Sequence, residues 1–206
     1  MRRITLWAGA ILFTGLAFSS AARASLLVNG NLNTDANTDN IPDGWTSWSY
    51  GTGGYAVYTP GTGAYAEDGT AYLGAGNWSD WWTGGGGWYQ IVSSSPGQIY
   101  QATVDSATES WENAYGSLQL VFMDSTGAVL LTDSHNVANY EPGKPWQAYG
   151  FTSLAAPENT AQVKFEVLTN GARGTVLFDN ASLVAVPEPS SLATLVLAGI
   201  PLLRRR

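Results

Sequence analysis

Three groups of side chains in this chain have types and spacings that do chemistry. The first is Asp35-Ala36-Asn37-Thr38-Asp39-Asn40-Ile41-Pro42-Asp43. Side-chain oxygens on Asp35, Asn37, Asp39 and Asp43, at positions 1, 3, 5 and 9 of a tight loop, can converge on one hard cation. Such a cation takes about six to eight oxygen ligands at roughly 2.3 to 2.6 Å, and calcium is the natural candidate. The same residues also make a solvated loop in which Asx side chains bond the chain's own amides. Both readings stand at this stage.

The second group is aromatic. Trp78-Ser79-Asp80-Trp81-Trp82 and Trp88 surround the run Gly84 to Gly87. A glycine loop buries nothing itself but lets flanking rings project, and exposed indole faces are surfaces on which sugar rings stack. Trp78, Trp81 and Trp82, with polar Asn77 and Asp80, are therefore the expected ligand group, with Tyr50 and Tyr55 extending the platform. Trp45, Trp88 and Trp146 lie in strand contexts and are expected in the core.

The third group is the acid and base set, and it is thin. His135 is the only histidine, and its place between Ser134 and Asn136 predicts an exposed loop residue. Glu109 and Glu112 flank Trp111, but three-residue spacing in an irregular acidic loop does not fix the separation that glycoside hydrolysis requires. No glycine motif precedes a helix to cradle phosphate. The expectation is a protein that is not an enzyme.

Composition excludes further classes. The 206 residues contain no cysteine, which removes thiolate catalysis, zinc-thiolate sites and iron–sulfur clusters. Of nine Lys and Arg residues, six lie at the two ends, leaving Lys144, Lys164 and Arg173 between them. The 15 carboxylates of the same region give it a charge of about −12, a field that repels nucleic acid.

The elements that must position these groups read as strands. Gln162 to Leu168 alternates Val163, Phe165 and Val167 against Lys164 and Glu166, as a half-buried strand does. Ser117 to Met123 runs through the turn Asp124-Ser125-Thr126-Gly127 into Ala128 to Leu131, a hairpin. Further strands are expected at Tyr55 to Tyr58, Thr70 to Leu73, Trp88 to Val92, Ile99 to Val104, Gln147 to Thr152, Thr175 to Phe178 and Ala181 to Val184. Turn signals such as Pro96-Gly97, Pro142-Gly143 and Asn170-Gly171 separate them. About ten short strands without a helical period predict an all-β fold, an antiparallel two-sheet β-sandwich of jelly-roll type, occupying residues 25–184.

Four stretches carry a family resemblance: LLVNGNLN at Leu26 to Asn33, IPDGW at Ile41 to Trp45, PGQIYQATVDS at Pro96 to Ser106, and GTVLFDNASLV at Gly174 to Val184. In this order they resemble the landmarks of carbohydrate-binding-module jelly rolls, the galactose-binding-like sandwiches. The resemblance implies a structural calcium held by an N-terminal acidic residue, a carbonyl-rich turn and the aspartate of the last strand. Asp179 matches that aspartate, Glu67-Asp68-Gly69 the turn, and Asn33 stands where the family has glutamate. Without the ion, Asp179 is a carboxylate bonded to backbone amides. The Asp35 loop separately resembles thrombospondin-type and EF-hand calcium loops, with Asn40 at the glycine position and Thr46 in place of the bidentate glutamate.

Both ends of the chain read as addresses. Residues 1–24 open on Arg2 and Arg3, continue through an apolar run, and close on Ala22-Arg23-Ala24, the pattern of a secretory signal helix with its cleavage site. Residues 185–206 contain Pro187-Glu188-Pro189, an uncharged stretch from Ser190 to Leu203, and Arg204, Arg205 and Arg206. That stretch, as a short hydrophobic helix, reaches roughly 21 Å, less than a hydrocarbon core of about 30 Å. The arrangement resembles the PEP-CTERM sorting signal of Gram-negative bacteria. It implies transient inner-membrane association and recognition by a sorting protease or transpeptidase of exosortase type, then passage to the cell surface or extracellular polymer. Together these features predict an exported, non-enzymatic envelope or exopolysaccharide-matrix protein, or alternatively a dedicated carbohydrate-binding module.

Overall fold

The computed structural model describes residues 24–60, 71–78, 83–108, 115–138, 146–170 and 173–187. Residues 1–23 of the expected signal, Glu67-Asp68-Gly69, Asp80, Trp81, Trp82, Glu109, Glu112, and Glu188, Pro189, Arg204, Arg205 and Arg206 of the expected sorting tail lie outside them.

Ten strands make up the described chain: β1 (Thr46–Gly51), β2 (Gly54–Pro60), β3 (Ala71–Asn77), β4 (Gly84–Ser93), β5 (Ile99–Thr108), β6 (Gly116–Met123), β7 (Val129–Ala138), β8 (Gln147–Thr152), β9 (Gln162–Asn170) and β10 (Gly174–Val186). They form two antiparallel five-stranded sheets, in the orders β1-β4-β9-β6-β7 and β2-β3-β10-β5-β8. The chain is an all-β sandwich of jelly-roll type, as its alternating sequence predicts.

Alternation places the core. In the first sheet, Trp88 of β4, Val163, Phe165 and Val167 of β9, and Leu118, Leu120 and Phe122 of β6 are sealed between the layers. In the second, Leu73, Tyr100, Ala102, Val104, Val176, Phe178 and Leu183 face them. Each large side chain removed from water in this way stabilises the fold by about 1.5 to 3 kcal/mol. The buried indole N–H of Trp88 donates to the Gly74 carbonyl of the opposite sheet at 3.0 Å, so its polar atom is satisfied inside the core. Trp45 is also buried, edge-on to Phe165. Trp146, by contrast, is only partly buried, against Tyr72 and Leu177 in a separate small cluster.

The segment before β1 is strapped to both sheets. Leu26 N donates to Leu183 O at 2.8 Å, and Ala181 N to Gly30 O at 2.9 Å. On the other sheet Gln90 uses both ends of its amide on Val28, accepting from its N–H at 3.0 Å and donating to its carbonyl at 2.6 Å. A buried side-chain amide here substitutes for a missing strand partner.

Four departures from the sequence expectations matter. The glycines at 84–87 are not a loop but the first half of β4, buried and paired with both β1 and β9. A Cβ on Gly86 would fall on the Tyr55 carbonyl oxygen, so glycine lets the sheets close at this end. Strand β1, not foreseen, forms the sheet edge beside them. The last two expected strands are one, β10, carrying a bulge between Asp179 and Ser182. His135 lies in β7 rather than a loop; its Nε2 pairs with Asp133 Oδ1 at 3.0 Å and its ring stacks on Phe151 of β8.

Candidate functional site

The outward face of the first sheet is built from residues whose neighbours in sequence point into the core. Register places Thr46, Tyr89, Glu166, Gln119 and Ser134 in one row across all five strands. The adjacent row holds Trp48, Gly87, Leu168 and Ser117, and Ile91, Lys164 and Val121 lie on the far side. Trp48, Tyr89, Ile91, Met123, Lys164 and Glu166 line an open groove of about 570 Å³ on this face.

Glu166 organises the groove floor. It is 3% exposed, and its two carboxylate oxygens receive three donors. Trp48 Nε1 donates to Oε1 at 2.6 Å; Gln119 Nε2 donates to Oε2 at 2.5 Å, and Lys164 Nζ pairs with Oε2 at 2.8 Å. A buried carboxylate needs such partners, and charge-assisted bonds of this length are the stronger kind. Lys164 also places its ammonium 5.3 Å from the centre of the Tyr89 ring, within cation–π range.

Two features hold Trp48 in place. Gly87 beside it carries no side chain, and a Cβ there would lie 3.0 Å from Trp48 Cε2 and 2.7 Å from the Val167 carbonyl oxygen. The indole therefore crosses β4 over bare backbone to reach Glu166. On its other side, Tyr50 stacks against it with ring centres 5.9 Å apart and planes 19° from parallel. Tyr50 is 47% exposed. The result is an aromatic wall, Tyr50, Trp48 and Tyr89, beside fixed polar groups, which suits ring stacking combined with hydrogen bonding to hydroxyls.

Of the residues singled out for ligand binding, the structure brings Tyr50 into this wall. Trp78 is 68% exposed and stands at the end of β3, its N–H donating to Gly53 O in the β1–β2 turn. Asp80, Trp81 and Trp82 lie outside the described residues. Trp48, Tyr89, Lys164, Glu166 and Gln119 were not anticipated as a group. The alternation Ser47-Trp48-Ser49-Tyr50 is the signal that marks two rings on one face of a strand.

The Asp35 loop folds on itself. Asp35 Oδ2 accepts from Asn40 N at 3.2 Å, Asp39 Oδ1 from Ile41 N at 2.9 Å, and Asn37 Oδ1 from Asp39 N at 3.3 Å. Asn37 Nδ2 donates to Asp39 Oδ2 at 2.8 Å, and the Asp43 carboxylate accepts from Ala36 N at 3.4 Å. Thr38 and Asn40 have φ of 57° and 64°, the left-handed geometry that asparagine tolerates. In this arrangement the side-chain oxygens mostly bond the loop's own amides. Asp179 is 1% exposed at the β10 bulge, with Oδ1 accepting from Asn180 N at 2.7 Å. No group of three or more His, Cys, Asp or Glu side chains placed to hold a metal occurs among the described residues.

No protein-family model matches the sequence, and no curated protein matches it. Solved structures do. The enzymatically active domain of tailspike protein 4 from bacteriophage CBA120 superposes with a TM-score of 0.58 at 13% identity, over 79% of this chain and 21% of that one. This chain thus spans about a fifth of that structure. TmCBM61, solved with β-1,4-galactotriose, gives a TM-score of 0.52 at 16% identity, over 79% of this chain and 99% of that one. A family 16 carbohydrate-binding module gives 0.52 at 17% identity, over 78% and 99%. At these identities the likeness establishes the fold: a β-sandwich of the kind found in carbohydrate-binding modules.

Proposed function

We propose that this chain is a non-catalytic glycan-binding module of an exported protein, and that it holds a neutral polysaccharide along the outward face of the β1-β4-β9-β6-β7 sheet. The observation that carries this reading is the groove itself. Trp48 and Tyr89 line it, Tyr50 stacks on Trp48, and the Glu166 network fixes the indole's orientation before any ligand arrives. Preorganisation of this kind lowers the ordering cost of binding. Neutral polymer is favoured because the carboxylates of residues 25–184 far outnumber their cations. Likeness to TmCBM61 and the family 16 module supports the fold half of the proposal.

Glu166 is not suited to acid–base work, since both of its oxygens are already engaged. It serves as the clamp on Trp48. A structural ion at Asp179 or at the Asp35 loop is tested by melting with and without chelator.

The cellular half of the proposal rests on the ends of the sequence. An N-terminal signal and a tail resembling PEP-CTERM direct the module to the cell surface or extracellular polymer, with an exosortase-type enzyme as the partner that processes the tail. Affinity electrophoresis through gels containing neutral polysaccharides tests the binding: retardation of the protein by one of them, abolished by Trp48→Ala, is expected, and unretarded migration in every gel defeats it. Mass spectrometry of the extracellular protein tests the processing, where a C-terminus near Pro187 to Pro189 is expected and an intact Arg206 refutes it.

A further inference from the structure

We infer that the glycan lies parallel to the strands, its chain running along β4 and β1 from Ile91 past Tyr89 and Trp48 to Tyr50, and that Ile91 and Tyr50 at the two ends of this strip set the length of chain preferred. The inference rests on the glycan-binding reading above and adds the axis and extent of the ligand. Size alone does not choose the axis. Tyr50 faces Gly85, and from Gly85 to Ile91 is about 20 Å of strand, while the five strands from β1 to β7 span about 19 Å. A polymer fits either way, so the side chains decide.

Rings and exposed apolar groups follow the strands. Outward positions of β1 and β4 hold Tyr50, Trp48, Tyr89 and Ile91. Tyr50 and Ile91, 47% and 48% exposed, are the open ends of this series. Outward positions of β6 and β7 hold Ser117, Gln119 and Val121, then Asn136, Ser134 and Thr132, without one ring. A chain laid across the sheet would therefore meet no stacking surface on β6 or β7, whereas one laid along it meets three rings and an isoleucine.

The groove is elongated in the same direction. Its lining occupies successive rows along β4 and β9: Trp48 over Gly87, Tyr89 beside Glu166, Ile91 beside Lys164, and Met123 level with Gln162. Glu166, Lys164 and Gln162 also give β9 a polar edge alongside the rings. Sugar units present apolar C–H faces and hydroxyl edges, so a ring-bearing strip with a polar flank suits a chain whose axis runs with both. Tyr50, stacked on Trp48, carries the strip past the groove towards the β1–β2 turn.

The absence of cysteine lets single reporters test the axis directly. Ser93 and Ser134 are exposed outward positions at similar distances from Tyr89: about 13 Å along β4 to the first, and about 14 Å across three strand spacings to the second. The probe is whichever of hydroxyethylcellulose, β-1,4-galactan or glucomannan retards the unmodified chain in affinity gels. On its addition, bimane attached to Ser93→Cys should change its emission, and bimane attached to Ser134→Cys should not. In isothermal titration, Ile91→Ala and Tyr50→Ala should each weaken binding of a hexasaccharide of that polymer at least about threefold, and binding of its trisaccharide less, with unchanged circular dichroism. A response at Ser134→Cys equal to or larger than that at Ser93→Cys, or end variants that lose nothing or lose equally for both lengths, overturns the inference and leaves the glycan reading standing. If no gel retards the unmodified chain, or Trp48→Ala is retarded just as much, the glycan reading falls and this inference with it.

Discussion

Trp48 donates its indole N–H to Glu166 Oε1 at 2.6 Å across 118 residues of sequence. This bond ties the edge strand β1 to β9 at the centre of the sheet, passing over β4 where Gly87 carries no side chain. It converts a flexible surface ring into a fixed wall.

Trp48→Ala removes that wall. Polysaccharide affinity should fall about tenfold or more, the equivalent of about 1.4 kcal/mol of lost stacking. The far-ultraviolet circular dichroism should be unchanged, since Trp48 is outside the core. Tyr89→Ala should act in the same direction. Isothermal titration with the retarding polysaccharide measures both.

Glu166→Ala leaves the Trp48 and Gln119 donors and the Lys164 ammonium without their shared acceptor. Loss of one member of a buried pair costs about 3 to 5 kcal/mol when both are sealed. Lys164 is 23% exposed and can turn to water, so a cost of about 2 kcal/mol is expected from urea unfolding. Glu166→Gln keeps one acceptor oxygen and should lose less. Both should weaken glycan binding, and a shift of tryptophan emission would report the released indole.

Two neighbouring glycines should respond differently to alanine. At Gly86 the new methyl meets the Tyr55 carbonyl and the Ala56 nitrogen, backbone atoms of the opposite sheet that cannot move independently. Gly86→Ala should destabilise by about 3 kcal/mol or more, in the upper range of overpacking. At Gly87 the methyl presses on the Val167 carbonyl, Leu168 Cβ and the Trp48 ring. Gly87→Ala should cost less stability than Gly86→Ala but displace Trp48 and depress binding. Thermal melts and titrations of the pair separate the two effects.

Asp124, at the turn joining β6 to β7, has its carboxyl held below the usual carboxylate range. The Thr126 hydroxyl bond contributes most, followed by the Ala128 and Thr126 amides. A depressed folded value means the turn is stabilised above the ordinary value near 3.8 and loses that stability as pH falls through the lower folded value. The melting temperature of the unmodified chain should exceed that of Asp124→Asn at pH 6, and the gap should close as the pH is lowered below about 3.8. A gap constant with pH would assign the effect to shape instead of charge.

Much of the fold could be read along the chain because a strand with one buried face repeats every two residues. Gln162 to Leu168 shows that period without interruption, and the observed β9 has Val163, Phe165 and Val167 inside and Lys164 and Glu166 outside. The turn at Asp124 was legible for a similar local reason, its side chain bonding amides two and four residues on. Strand β1 was not, because Thr46–Gly51 is a sheet edge with no deeply buried residue. The start of β4 was not, because four glycines carry no alternating pattern.

The sequence by itself determined the all-β class and the acidic, cysteine-free composition. It also identified Trp45 and Trp88 as core and Tyr50 as a candidate contact. Only the tertiary structure decided that Trp48, Tyr89, Lys164, Glu166 and Gln119 share one face. Their juxtaposition depends on which strands are neighbours and in what register, and a one-residue slip would send the same side chains to the opposite side of the sheet. Pairing between β1, β4, β9 and β6 is long-range, set by the packing of the whole core, and no local stretch encodes it.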